Sequence, residues 1–470
     1  MEKLIIWFIS VNFLENSVFW SKRTRNLVFY YKIYFMSNAK NNKIVYSRLL
    51  ESVLVHKLKL FGAVVIEGPK QTGKTYLGKK IAKSHYYVQK RYEVLNLDLN
   101  LDQTNKILNG AKPRLIDEWQ IESQIWDLIR FKIDQADGKK GLYILTGSSS
   151  ETYKNVYHSG AGRFAWLEMQ TLTFYEILSN FKQKFISLNA LFLKEKQKLY
   201  KSKVDHDWVI QQMLYGGWPE INQPEIQTNS QEIIDAYLEA ITNVSKDNQY
   251  GDLKINPLFI KPFIKSLAWL NSKQISVDTL QNNLELDLKP KQIKNYLIYL
   301  QSIFICFELQ IWTGVFEVIK RNRLRVKPKN YLCDPSILFN VFNIDTPEKA
   351  LAHSEILGYA FENQVVKDLS VYMQALGGKI SFYRDENGLE VDAILEFKDG
   401  RWAAIEIKFN GAQKRITKAV KTLKRFYDKV TNLGLDQPVF MAVIVAGNEI
   451  NQPYQRTDGI YVIPHHCLGI

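Results

Sequence analysis

Between about residues 60 and 180, short apolar runs alternate with stretches in which apolar positions recur every three or four residues. Ala63-Val64-Val65-Ile66, Val94-Leu95-Asn96-Leu97, Arg114-Leu115-Ile116-Asp117-Glu118, Leu142-Tyr143-Ile144-Leu145 and residues 164–169 read as strands, with Asp98 at the end of the second. Residues 76–82 and the set Ile121, Ile125, Leu128 and Ile129 have helical spacing,. Strands alternating with helices predict a parallel α/β sheet, preceded by a helix at 46–58. From about 180 to 250 helical periodicity dominates, broken by Gly216-Gly217-Trp218-Pro219, which must be a turn,. Three helices follow, at 259–270, at 277–281 and at 289–306, then a strand at 307–311. In the final third, a helix starting near Gly358 carries Val365, Val366, Leu369 and Tyr372 on its apolar side, and strands are expected at 380–384, 390–397 and 401–408. The loop Lys398-Asp399-Gly400 suits a hairpin with Gly400 left-handed, so Phe397 faces Arg401 and Asp392 falls opposite Glu406 to within a residue,.

The first glycine turn carries the strongest chemistry. Gly68-Pro69-Lys70-Gln71-Thr72-Gly73-Lys74-Thr75 fits the phosphate-binding pattern G-x-x-x-x-G-K-[ST] without substitution, between a buried strand and a helix,. In such a loop backbone N–H groups and the helix N-terminus surround the phosphates of a nucleoside triphosphate, Lys74 would reach the outer phosphates and the Thr75 hydroxyl would hold magnesium. Asp117, ending an apolar strand, would bind the magnesium through water, and Glu118 would polarise the attacking water. Thr146-Gly147-Ser148-Ser149 could sense the outer phosphate, with Ser148 among the nucleotide contacts. Arg163, in Gly160-Ala161-Gly162-Arg163, is a candidate to stabilise transferred charge within the chain or across a subunit boundary of a homo-oligomer; a surface arginine is the alternative,.

The order of GPKQTGKT, LIDEWQ, LTGSSS, GAGRF, LTFYEIL and YGGWPE (215–220) resembles prokaryotic AAA-type ATP-binding proteins with a restriction-endonuclease-like C-terminal domain. Where that family usually has a proline before the F-x-E segment, this chain has Leu172-Thr173. The resemblance implies ATP binding at 68–75, Asp117 and Glu118 as magnesium and water-activating residues, and a sensor around 146–149. It also implies a winged helix-turn-helix, which the three helices near 257–306 and the basic stretch 320–329 independently suggest,. The expected units are a 44–180 P-loop core, a 181–255 helical lid over the nucleotide, a 256–335 winged helix and a 336–470 nuclease-like α/β domain. Arg321, Arg323 and Arg325 on the wing, with Lys291 and Lys294 on the third helix, would meet DNA phosphates; a structural hinge between larger domains is the other reading.

Alternation places Glu406 and Lys408 on one face with Asp392 near them, and this set resembles the D…E-x-K site of the PD-(D/E)xK fold, with Glu362 matching its helix glutamate. By that resemblance Asp392 and Glu406, with Glu362, would bind magnesium, and Lys408 would orient or activate water for cleavage. A clamp that keeps the fold without cleaving is the alternative. The helix at 414–425 is apolar on one side and basic on the other, a phosphate-tracking face or a solvated one,.

Composition narrows this picture modestly. The 470 residues are too many for one ordinary core,. A net charge of +14 suggests a polyanionic partner, nucleic acid first, though a solvated basic surface gives the same number,. Three cysteines without a C-x-x-C pair support neither a disulfide framework nor a zinc knuckle, and a reducing cytoplasm fits,. His465-His466-Cys467 reads as ordinary surface and receives no role. Residues 1–35 differ in character from the rest; 4–14 are apolar but too short to span a bilayer,. Met36 is read as the translation start, residues 1–43 as an extension, and stable membrane association is not expected.

Overall fold

The computed structural model describes residues 43–88, 101–148, 160–244, 253, 255–284, 286–314, 327–447 and 450–470. Strands β1 (Ala63–Glu67), β2 (Ser84–Tyr87), β3 (Arg114–Asp117), β4 (Tyr143–Thr146) and β5 (Phe164–Glu168) form a parallel sheet in the order β2-β3-β4-β1-β5. The strand expected at 94–97, with Asp98, lies outside the described residues. The central strands β1, β3 and β4 are buried along almost their whole length because both faces are covered,. Ala63, Val65, Ile116 and Leu145 pack with Ile125, Trp126 and Ile129 of the helix Gln124–Asp134 on one side. Val64, Ile66, Leu115 and Ile144 meet Leu50 and Leu54 of the helix Leu50–Leu60 and Leu77 of the helix Lys74–Ile81 on the other. The helix expected from residue 46 begins at Leu50 instead. Tyr46 donates to the Asn222 carbonyl at 2.7 Å and the Ile44 N–H to Gln223 at 2.7 Å, so the entering chain is held extended.

After the helix Phe174–Ser179 come β6 (Ile186–Ser187) and the helices Leu188–Phe192, His206–Tyr215 and Ser230–Val244. Helix Ile260–Trp269, β7 (Lys273–Gln274), helices Val277–Asn283 and Pro290–Ser302, β8 (Cys306–Leu309) and β9 (Lys329–Leu332) then build a small antiparallel sheet ordered β7-β9-β8. Ser276 caps the second of these helices through the Thr279 N–H at 2.9 Å, and Pro290 opens the third with its missing N–H at the first turn,.

The C-terminal sheet comprises β10 (Lys379–Arg384), β11 (Glu390–Glu396), β12 (Trp402–Lys408), β13 (Met441–Val445), β14 (Tyr454–Gln455) and β15 (Tyr461–Pro464), in the order β10-β11-β12-β13-β15-β14. The β11–β12 register pairs Ala393 with Ile405 and Ala404 with Ile394, which sets Asp392 level with Glu406. Gly400 is left-handed (φ 91°) in the hairpin, and the Phe397 N–H donates to the Arg401 carbonyl at 2.9 Å. Helices Ser354–Leu376 and Gln413–Asn432 lie against this sheet. The latter buries Ile416, Ala419, Val420, Leu423 and Phe426 and exposes Lys414, Arg415, Lys418, Lys421, Lys424 and Arg425.

One apolar core runs without a break from Leu172 through Trp208, Tyr237, Phe263 and Tyr299 to Phe361 and Leu369 of the long helix. β16 (Leu468–Gly469) returns to pair with β6. The bridge Ile311–Phe382 runs the chain after β8 alongside β10.

Candidate nucleotide site and a buried carboxylate cluster

The phosphate loop stands at the carboxyl end of β1, where ligands bind in open parallel sheets,. Gly68 has φ +140°, and a Cβ there would lie 2.1 Å from the Met169 carbonyl oxygen, so only glycine fits,. Gly73 is left-handed (φ 92°) immediately before the helix Lys74–Ile81. Pro69 and Thr72 are buried, and Thr72 donates to the Pro69 carbonyl at 3.0 Å, while Lys70 and Gln71 are exposed at the rim. Lys74 is buried and its Nζ donates to the carbonyls of Gly68 (2.8 Å) and Pro69 (2.6 Å). Burial lowers the Lys74 pKa to about 8, against the opposing pull of Glu118 and Asp117,.

Thr75 Oγ1 donates to Asp117 Oδ1 at 2.8 Å, and Thr146 Oγ1 donates to the same oxygen. Ser148 is buried just beyond β4. Glu118 is left-handed (φ 54°), turning it out of β3, and its carboxylate accepts from Gln120. The hydroxyl and carboxylate expected to hold magnesium are therefore adjacent, and these residues fit a magnesium–nucleotide complex.

Arg163 is not brought to this site. Its carbonyl accepts from Ala63, the first residue of β1, whereas the loop follows the last. It lies at the amino edge of the parallel sheet, half-exposed, paired with Asp134 at 2.6 Å. This corrects the expectation of an arginine acting on the nucleotide within the chain: a residue entering a strand parallel to β1 emerges at the opposite end from the loop.

The arginine that does touch the loop is Arg48, whose role the sequence reading missed. It is buried, donates to the carbonyls of Thr72 (2.7 Å) and Gln170 (2.7 Å), and pairs with Glu176 at 3.0 Å. Glu176 also closes a capping box with Thr173, so the LTFYEIL segment is an anchor for the loop,. The Tyr237 hydroxyl meets the Lys70 backbone, and Pro219 stands 3.9 Å from where a Gly73 Cβ would lie, so residues of the expected lid border the loop.

A buried polar junction joins this region to the C-terminal half. Asp334 accepts from Thr171 (2.6 Å) and the Gly217 N–H (2.9 Å). Lys367 donates to Thr171 and to the Leu172 carbonyl, both at 3.0 Å, and Asp368 binds the Phe174 N–H (3.0 Å) and His465 Nε2 (2.9 Å). Side chains at Gly216 and Gly217 would collide with Ser336 and with the Leu172 carbonyl, which accounts for the paired glycines. His465 and His466 are fully buried, correcting the surface reading; burial and the neighbouring His465 depress the His466 pKa to about 3.

The C-terminal cluster assembles as the register predicts, with additions. Lys408 Nζ lies 2.9 Å from Asp392 and 2.8 Å from Glu406, and the Ile407 N–H donates to Asp392 at 2.8 Å. Glu362, on the long helix, accepts from the Tyr331 hydroxyl at 2.9 Å. Lys329, from β9, reaches Glu390 (2.6 Å), Glu362 (3.2 Å) and Asp392 (4.0 Å). It is a core residue, not part of an exposed wing as the basic stretch suggested; Arg321, Arg323 and Arg325 lie outside the described residues. Burial and the Asp392 charge push the Glu406 pKa up to about 8. Burial acts the same way on Asp392, but Lys408, Lys329 and the Ile407 N–H outweigh it and hold it low. Among the described residues no group of three or more His, Cys, Asp or Glu side chains is arranged to hold a metal ion. As they stand, the carboxylates face ammonium groups and do not fit a divalent ion.

Residues 61–178 match a family profile described as an AAA domain. Residues 206–348 and 357–468 match two profiles described as domains of unknown function, DUF8612 and DUF4143. An uncharacterized protein of Methanocaldococcus jannaschii is 25% identical over 409 residues, 82% of this chain and 84% of that one. An uncharacterized protein of Mycobacterium tuberculosis is 24% identical over 346 residues, 73% of this chain and 70% of its own. Among solved structures, a RuvB variant of Thermotoga maritima covers 55% of this chain and 88% of that chain, at 14% identity and a TM-score of 0.26. The loop, its sheet and the matched profile define a P-loop domain of the AAA type. Among the described residues no helix is long and apolar enough to cross a membrane.

Proposed function

We propose that this protein binds and hydrolyses ATP with magnesium at the phosphate loop, and uses the nucleotide state to set the grip of its middle and C-terminal parts on DNA. The observation that carries the reading is the convergence of Lys74, Thr75, Asp117 and Glu118 at the carboxyl edge of one sheet. Loop N–H groups and the start of the helix Lys74–Ile81 would take the phosphate oxygens, and Lys74 would trade two carbonyls for phosphate. Thr75 and Asp117 would hold the magnesium, which neutralises phosphate charge when bound. Glu118 would accept the proton of the attacking water, with Thr146 and Ser148 beside the outer phosphate.

The helix–strand–helix–helix–strand–strand order of residues 260–332 supports a winged helix,. The strand–hairpin cluster supports a nuclease-like fold in the last third, used here as a clamp. Exposed Lys291 and Lys294 and the basic face of the helix Gln413–Asn432 offer phosphate contacts,. DNA should raise steady-state ATP hydrolysis, and replacing Lys414, Lys418 and Lys421 by Ala should flatten the salt dependence of DNA retention by up to about three slope units. Hydrolysis indifferent to DNA, with an unchanged slope, counts against the DNA part.

A second reading, a nucleotide-dependent switch for DNA or protein without useful turnover, is favoured by the tie between Glu118 and Gln120 and by the distance of Arg163 from the loop. In a cytoplasmic homo-oligomer, Arg163 could reach only a neighbouring subunit's nucleotide.

A further inference from the structure

The set of carboxylates that would make a metal centre in the last third carries a cation already. Glu362, Glu390, Asp392 and Glu406 come from the long helix, β11 and β12, and Lys408 lies beside them on β12. Lys329 comes from elsewhere: β9, a strand of the small middle sheet paired with β7 and β8. Its side chain is 3% exposed, and its Nζ contacts a carboxylate of the helix and one of β11, with a second β11 carboxylate at 4.0 Å. The neighbouring strand position but one, Tyr331, adds a hydroxyl to Glu362. Two ammonium groups thus face four carboxylates, one of them imported from another sheet.

We propose that Lys329 takes the cation place in this cluster, so that the folded chain keeps it closed to divalent metal and uses it as an electrostatic lock between the middle sheet and the C-terminal sheet. A magnesium or manganese ion needs carboxylate oxygens at about 2.0–2.2 Å, inside the space the ammonium fills. Two cations so close would repel, and the gain from a metal would be offset by expelling a buried ammonium. An ammonium on a strand also does what a free ion cannot: it ties the position of one sheet to the other. The lock is independent of the nucleotide reading, since no residue of it touches the phosphate loop.

Mn2+ binding to the full-length, nucleotide-free protein, read by electron paramagnetic resonance of the free ion and by the shift in thermal midpoint, tests this. Wild type and Asp392→Asn should bind Mn2+ alike, because the cluster takes none. Lys329→Met, which keeps length and removes charge, should gain a site at least about tenfold tighter than any residual binding. Lys329→Met with Asp392→Asn should lose that site, and Lys329→Arg should remain closed. An Asp392-dependent Mn2+ site in wild type overturns the proposal, and that measurement needs no altered lysine to fold. A folded Lys329→Met or Lys329→Gln protein without a new site overturns it equally.

Discussion

Lys74 and Lys329 are both buried, at 6% and 2% exposure, yet their surroundings leave them in opposite conditions. Lys74 is held by two neutral backbone carbonyls, and burial drives its pKa down to about 8. Burial also pulls Lys329 down, but Glu362, Tyr331, Asp392 and Glu390 outweigh it and raise the pKa well above the usual lysine range. A lysine among carbonyls is poorly compensated and improves its state when an anion arrives. A lysine among carboxylates is already compensated, and nothing is gained by moving it. The first arrangement suits a ligand site and the second a fastening.

The largest test of that contrast is stability. Lys329→Met should cost roughly 3–5 kcal/mol in urea unfolding, because it leaves buried carboxylates facing one another. Lys74→Met should cost under about 1 kcal/mol, since it replaces an ammonium whose charge burial disfavours by an apolar chain of similar length,. Equal losses would erase the distinction. On the ligand side the order reverses: Lys74→Ala should weaken ATP binding by about a hundredfold or more in calorimetry, and Lys329→Met should leave it within about twofold.

A smaller effect comes from Glu406, held up to about 8 when folded against about 4.3 unfolded. Between those values the folded chain binds the extra proton, so its contribution to stability is complete below about pH 4 and is lost as pH rises through about 8. Glu406→Gln should flatten the fall in unfolding midpoint between pH 5 and 8; a slope unchanged by the substitution would contradict the assigned burial. The smallest effect belongs to Arg163. Its solvent-screened pair with Asp134 adds little to stability, and Arg163→Ala should leave ATP hydrolysis by monomeric protein within about twofold,. A large loss of rate that depends on protein concentration would place the arginine at a subunit boundary.

What could be read from the chain divides along sequence distance. The loop, its flanking strand and helix, and the Asp392–Glu406 register are local consequences of periodicity and one hairpin, and each stands where expected. Arg48 with Glu176, Asp334 with Thr171, and Lys329 with Glu362 join segments 128, 163 and 33 residues apart, so no spacing rule reaches them. The basic stretch before β9 concealed Lys329, because charge run and core position look alike until strand pairing is known. Arg163 is different: its place at the amino end of β5 was deducible from the parallel order, and its motif position drew attention away from that geometry. The buried pair His465 and His466 gave no apolar signal, since His465 is buried by packing against Asp368, Phe174 and Phe361 across the chain, and His466 lies beside Gly447 and Gln183.

Whether the phosphate loop is a working ATPase site is decided by comparing ATP binding and steady-state hydrolysis in wild type and Glu118→Gln. The variant should keep wild-type affinity with turnover reduced about a hundredfold or more, because Glu118 handles the water and not the phosphates. Hydrolysis at the wild-type rate in Glu118→Gln, or ATP binding that survives Lys74→Ala undiminished, would contradict the ATPase reading.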